Sequence, residues 1–117
     1  MGAKANQLTK SVRTLFTAHG FVVWRNQSGA AKRGDYFIRL GETGLPDLMM
    51  TRTGIGLICC EIKASHGEQL SPGQLDFKQR LEAAGARYYI IRATDDALAA
   101  LQELEENAGE KPSTTSA

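Results

Sequence analysis

The chain has 117 residues, two cysteines and a formal net charge of only +1, with 42% hydrophobic residues. That length suits one domain with its own packed core, which buries roughly two-thirds of its unfolded surface. It excludes dependence on a disulfide framework, and no apolar stretch nears the ~20 residues of a membrane span.

The even charge hides an asymmetry. Up to Arg52 there are eight Lys and Arg against three acids, whereas four acids and no base fall between Glu103 and Glu110. A basic body with an acidic C-terminal end suits a polyanionic partner. Met1 to Lys10 lacks the apolar core of a secretory leader, so a soluble cytoplasmic protein is expected.

Leu8, Val12, Leu15, Phe16 and His19 recur at helical spacing and predict an amphipathic helix that His19 closes and Gly20 stops. Phe21 to Arg25 is β-branched and aromatic and reads as a strand. On it, Trp24 is read as core or interface packing rather than a base-stacking platform. Asn26 to Gly34 reads as a polar loop, Asp35 to Leu40 as a short strand, and Gly41 to Gly44 as a turn.

Asp47 to Arg52 and Leu57 to Lys63 predict two strands joined by Thr53-Gly54-Ile55-Gly56. The second is apolar on both faces, as for a central strand covered on both sides. Its adjacent Cys59 and Cys60 point to opposite faces and are expected to be buried, unpaired thiols. Ser71-Pro72-Gly73-Gln74 is a helix start: Ser71 at the N-cap, Pro72 at N1 and Gln74 closing a capping box. That helix should run to about Ala84 and stop at Gly85. Arg87 to Arg92 is another strand, and a last helix from near Asp95 carries Leu98, Leu101 and Leu104 on one stripe. A single domain over 1–107 and a disordered tail over 108–117 are expected. A hairpin followed by a helix and one more strand implies an α/β fold, a mixed sheet with helices packed on it.

The chemistry comes from the hairpin register. With Gly54 at the centre of the turn, Asp47 faces Glu61, and directly opposed side chains lie ~5 Å apart on one face. Two carboxylates so placed repel, and burial sharpens the conflict. A divalent cation resolves it, since Mg²⁺ takes oxygen ligands and commonly one or two carboxylates. Lys63 shares that face, two residues beyond Glu61. Its ammonium can orient a water or neutralise charge developing on a phosphate. Any one of these residues alone is more simply a structural or solvated charge. Their convergence on an otherwise apolar strand favours phosphodiester hydrolysis.

The strings Gly44-Leu45-Pro46-Asp47-Leu48, Cys60-Glu61-Ile62-Lys63 and Leu70-Ser71-Pro72-Gly73-Gln74 resemble the PD-(D/E)XK nuclease superfamily. More narrowly they resemble the VRR-NUC domain in its small stand-alone form from phages and bacteria, over about Leu8 to Leu101. The resemblance implies a restriction-endonuclease-like core. It also implies that Asp47, Glu61 and the backbone carbonyl of Ile62 hold Mg²⁺ or Mn²⁺ and that Lys63 positions the attacking water. Gln74 is implied to be an accessory residue facing the site, a role that stands beside its capping box. It implies a homodimer acting on branched DNA, such as a Holliday junction or flap. The family often carries an acid near the start of the first helix, where this chain has Ala5-Asn6-Gln7-Leu8, and Gln7 or Asn6 is available there to hold a metal-bound water.

Lys32 and Arg33, with Arg25, Arg39 and Arg52, are candidates for phosphate contacts, the first two favoured by their loop. His66 falls in the Ser65 to Gln69 loop beside Lys63. Two further readings stay open: a DNA-binding module of this fold without catalysis, and a nuclease acting on RNA or linear DNA.

Overall fold

A computed structural model describes residues 2–26, 30–33, 36–39 and 43–109, the backbone alone over 30–33 and 36–39. The elements run α1 (Ala3–Ala18), β1 (Val22–Arg25), β2 (Ala30–Arg33), β3 (Tyr36–Arg39), β4 (Leu48–Arg52) and β5 (Gly56–Ile62). α2 (Pro72–Ala83), β6 (Arg87–Ile91) and α3 (Thr94–Gly109) complete the chain. Among the described residues no helix is long and apolar enough to cross a membrane.

Four strands form a mixed sheet in the order β1-β4-β5-β6. β1 and β5 flank β4 in antiparallel pairs, and β6 lies parallel to β5. The parallel pair requires a crossover, which α2 supplies. The four-stranded sheet with its three helices is the mixed α/β arrangement expected from the element order.

Alternation divides β5 between two layers. Ile58, Cys60 and Ile62 join Leu48, Met50 and Ile91 in the core beneath α1 and α3. Each such side chain, fully buried, contributes roughly 1.5–3 kcal/mol. From α1, Leu8, Val12 and Phe16 meet them, and Phe16 stacks edge-on against Phe21 with ring centroids 5.1 Å apart. The odd-numbered residues Cys59, Glu61 and Lys63 turn to the opposite face, where α2 crosses the sheet.

The β4–β5 register follows Gly54. Leu48 pairs with Cys60 and Arg52 with Gly56, and Gly54 takes the left-handed φ of 85° that the turn demands. α1 ends on His19, whose N–H donates to the Phe16 carbonyl, with Gly20 at φ 88° just beyond. The predicted capping box opens α2: Gln74 N–H donates to Ser71 Oγ and Ser71 N–H to Gln74 Oε1.

Three expectations change. Ala30–Arg33, predicted as part of a loop, is a strand paired with Tyr36–Arg39 in a separate two-stranded sheet. Ala-Ala-Lys-Arg has no β-branched residue, so its strand state comes from the partner across the ladder and not from its own propensity. Lys32 and Arg33 therefore sit on a hairpin strand, while Asp35 and Leu40 lie outside the described residues. Leu98 is 48% exposed, and the buried stripe of α3 runs through Ala97, Ala100, Leu101 and Leu104. The stripe is i, i+3, i+4, i+7 from Ala97, and Leu98 is turned ~100° away from it. α3 also continues through Ala108 to Gly109, beyond the expected start of the tail, and 110–117 lie outside the described residues.

Gly44 fixes how the loop before β4 meets α2. Its φ is +85°, and a Cβ there would lie 2.3 Å from the Gly73 carbonyl oxygen, inside the first turn of α2. Gly44→Ala is expected to lower stability by ~1–3 kcal/mol through both strain and overlap. Chemical denaturation measures it, and an unchanged midpoint would mean that this loop and α2 separate without cost.

Candidate active site

Asp47 precedes β4 and Glu61 falls near the end of β5, one rung beyond the Leu48–Cys60 pair. The two bind reciprocally. Glu61 Oε1 accepts from the Asp47 N–H at 3.2 Å, and Asp47 Oδ2 accepts from the Ile62 N–H at 2.8 Å. The carboxylates thus satisfy backbone donors where the ladder ends, which holds them together despite their like charge.

Asn26 braces the same corner from β1. Its N–H donates to the Asp47 carbonyl at 2.9 Å and its Nδ2 to the Pro46 carbonyl at 2.8 Å. The sequence offered no sign of this role, because it depends on β1 pairing with β4 across the inserted hairpin.

Lys63 leaves the end of β5 on the face of Glu61, its backbone N–H donating to the Ile91 carbonyl at 3.0 Å. Glu61 is 3% exposed and Lys63 6%. Lys63 Nζ stands 3.6 Å from Glu61 Oε2 and 3.4 Å from Glu68 Oε2. Glu68, an acid of the connection to α2 and unremarked in the sequence, therefore shares the ammonium with Glu61.

Gln74 performs its two roles at once. Oε1 accepts from the Ser71 N–H while Nε2 donates to Glu61 Oε2 at 2.9 Å. The capping box holds the amide so that its other end points at the carboxylate. Asp47, Glu61, Lys63 and Gln74 are thus brought into one polar cluster, with the Ile62 backbone at its centre.

Glu61 bears the electrostatic load. Burial, and then the adjacent Asp47 charge, push its carboxyl up from 4.5 to about 8, with Lys63 pulling the other way. On the same face, the Tyr88 hydroxyl is buried with no hydrogen-bond partner among the described residues. Burial and the charge of Glu61 push its ionisation upward. The thiols stand outside this chemistry: Cys59 and Cys60 are free and buried, with burial raising them to about 11 and about 12.

The remaining residues separate by position. Arg25 is exposed at the end of β1 opposite Leu48, beside the cluster. Arg52 is at the far end of β4, where Nη1 donates to the His19 carbonyl at 2.9 Å and to Glu105 Oε2 at 3.0 Å. Its guanidinium also lies 4.9 Å over the Phe21 ring, so Arg52 ties α1 and α3 to the sheet. Gln7 is exposed on α1, on a cleft that Ala64 also lines. Among the described residues no hydrogen bond joins it to Asp47, Glu61 or Lys63. Trp24 is 39% exposed on the edge strand β1, and His66 is exposed in the connection that carries Glu68.

No protein-family profile matches the chain, and no curated protein sequence matches it. Its structure is similar to a solved structure described as a VRR_NUC domain, with a TM-score of 0.65 at 19% sequence identity. The match covers 86% of this chain and 97% of that one. The chain has the fold of a VRR_NUC domain, the restriction-endonuclease-like core expected from the sequence.

The raised Glu61 carboxyl makes stability depend on pH. The folded protein holds this proton up to about 8, whereas the unfolded chain releases it near 4.5. The contribution is complete below about 4.5 and is lost as pH rises through about 8. Without divalent ions, unfolding free energy is expected to fall across that window in the wild type. Glu61→Gln, which cannot ionise, should lack that segment. Equilibrium unfolding at a series of pH values tests this, and parallel curves for the two proteins would assign the slope elsewhere.

Proposed function

We propose that this protein is a divalent-metal-dependent nuclease that hydrolyses phosphodiester bonds in DNA. The observation that carries this reading is the meeting of Asp47, Glu61, Lys63 and Gln74 at the end of β5, in a chain with the fold of a VRR_NUC domain.

The donor set suits a hard cation. Two carboxylates stand side by side, one of them raised to about 8 by burial and by the other's charge, and a cation relieves both costs. Among the described residues no cluster of three or more His, Cys, Asp or Glu side chains could hold a metal. The resemblance of the sequence motifs implies Asp47, Glu61 and the Ile62 carbonyl as the protein ligands, a sparse all-oxygen set that suits Mg²⁺ or Mn²⁺ with waters retained. When bound, such an ion supplies Lewis-acid polarisation of a phosphoryl oxygen and acidifies a water.

The chain's own groups do the rest. Lys63, held between Glu61 and Glu68, keeps an ammonium where a water can be oriented and where negative charge on a phosphate can be offset. Gln74 fixes the Glu61 carboxylate, so that its oxygens need not reorganise as charge shifts during reaction. Asp47 is held through the Ile62 N–H, and Asn26 keeps the Pro46-Asp47 backbone against β1.

Branched DNA and a homodimer are the finer part of this reading, supported by the resemblance of the sequence motifs to stand-alone VRR-NUC proteins. A symmetric pair would present one site to each of two strands. Val22 and Trp24, exposed on the edge strand β1, offer apolar surface for such a contact. Arg25 ends β1, and Lys32 and Arg33 fall on the hairpin strand that follows it in the chain; these three are the candidates for phosphate contacts. The cytoplasm of a bacterial or phage-infected cell is the proposed setting. A DNA-binding module without catalysis is the second reading, favoured by the absence of any acidic residue from the first turn of α1.

Cleavage of a labelled four-way junction, a flap, a linear duplex and an RNA duplex decides among these, each with Mg²⁺, Mn²⁺ or EDTA. Metal-dependent cutting of the branched DNAs is expected. Asp47→Ala and Lys63→Ala should each reduce the rate at least ~100-fold while remaining folded. Binding without cleavage under either metal would favour the module, and a preference for RNA or linear DNA would redirect the substrate class.

A further inference from the structure

A second candidate site lies where β5 and β6 end. α1, the residue after Lys63 and the link from β6 to α3 enclose a cleft of about 470 Å³. Lys4, Gln7, Leu8 and Ser11 of α1 line it together with Ala64 and Arg92. None of the residues lining it is acidic. Strands β5 and β6 are parallel and both end here, the end of a parallel pair where ligand crevices form in open sheets.

Glu68 ties this cleft to the active site. Its carboxylate touches Lys63 Nζ at 3.4 Å, and its backbone carbonyl accepts from Arg92 Nη1 at 2.6 Å. One residue thus holds both the ammonium proposed to act in hydrolysis and the guanidinium on the cleft wall. Asp96 Oδ2 accepts from the Arg92 and Ala93 N–H groups, so these two backbone donors beside the cleft are already engaged. The attraction for an anion rests on Lys4 and Arg92, and among the described residues no carboxylate forms an ion pair with either.

We propose that this cleft seats a nucleotide of the substrate strand flanking the scissile phosphate, with its phosphate on the cationic rim formed by Lys4 and Arg92. The proposal rests on the nuclease reading above. The apolar side chains of Leu8 and Ala64 suit a sugar or base face, Gln7 and Ser11 supply an amide and a hydroxyl, and the two cations match a phosphodiester. The volume exceeds what a lone phosphate needs and falls in the range of sites for ligands of nucleotide size. Gln7, which stands where the family often has an acid, here faces a nucleotide and not a metal.

The test is binding of a short fluorescent DNA duplex and of a labelled four-way junction, with Ca²⁺ replacing Mg²⁺, by anisotropy over a series of salt concentrations. Lys4→Ala and Arg92→Gln are each expected to weaken binding roughly three- to tenfold and to lower the salt slope by about 1. Lys10→Ala, which removes an equal charge from α1 away from the cleft, should match the wild type. Lys4 is exposed, so its variant folds whatever happens to Arg92 and the Glu68 contact. A free deoxynucleotide run as competitor should displace the duplex only at far higher concentration, and displacement at equal concentration would mark a site for mononucleotides. Wild-type binding with no loss in either cleft variant would overturn the proposal and leave the nuclease reading standing. Failure of the wild type to bind DNA at all would remove both.

Discussion

Two carboxylates placed against each other at the end of an antiparallel pair form the constraint around which this protein is arranged. Asp47 and Glu61 repel, and Glu61 is almost wholly buried. The ladder itself offers the solution. Where regular pairing ends, the N–H groups of Asp47 and Ile62 lack carbonyl partners, and each carboxylate accepts from one of them. Backbone donors that would otherwise be orphaned thus hold a pair of charges that would otherwise move apart.

Every neighbouring element serves that corner. β1 braces it through Asn26, the connection after β5 contributes Glu68 to Lys63, and α2 contributes Gln74 to Glu61. The use of Gln74 is economical, because one amide caps a helix through its oxygen and steadies a carboxylate through its nitrogen. α2 buries none of its residues fully, so this polar contact and the close approach of Gly44 to Gly73 locate its first turn. The apolar core lies on the other side of the sheet, beneath α1 and α3. The apolar core and the polar cluster are thereby divided between two faces, with β5 contributing even-numbered residues to one and odd-numbered residues to the other.

This division explains why the strand carrying Glu61 and Lys63 reads as apolar throughout. Ile58, Cys60 and Ile62 are core, Cys59 is buried on the site face, and the charges come only at the strand end, where the sheet opens. That edge, where parallel β5 and β6 both stop, is also where α1 and α3 leave room for the cleft bounded by Lys4 and Arg92. The end of one strand thus leads to both the carboxylate cluster and the cleft, with Glu68 touching Lys63 on one side and Arg92 on the other.

What the sequence determined by itself is local and periodic. Two-residue alternation placed Glu61 and Lys63 on one face, a glycine-centred turn set Asp47 opposite Glu61, and Ser71-Pro72-Gly73-Gln74 announced a capped helix. Each depends on residues close in the chain or on a symmetry centred on Gly54. The tertiary structure alone decided that β1 pairs with β4 across an inserted hairpin, which brought Asn26 to Asp47. It also decided that α3 buries Ala97 and Ala100 and leaves Leu98 outside, and that Arg52 is spent on Glu105 and the His19 carbonyl. Ala30–Arg33 became a strand for the same reason, through a partner that its own propensities do not specify. These outcomes turn on which distant segments share the burial of one core and the pairing of one ladder, and that competition is settled among whole elements and not within any one of them.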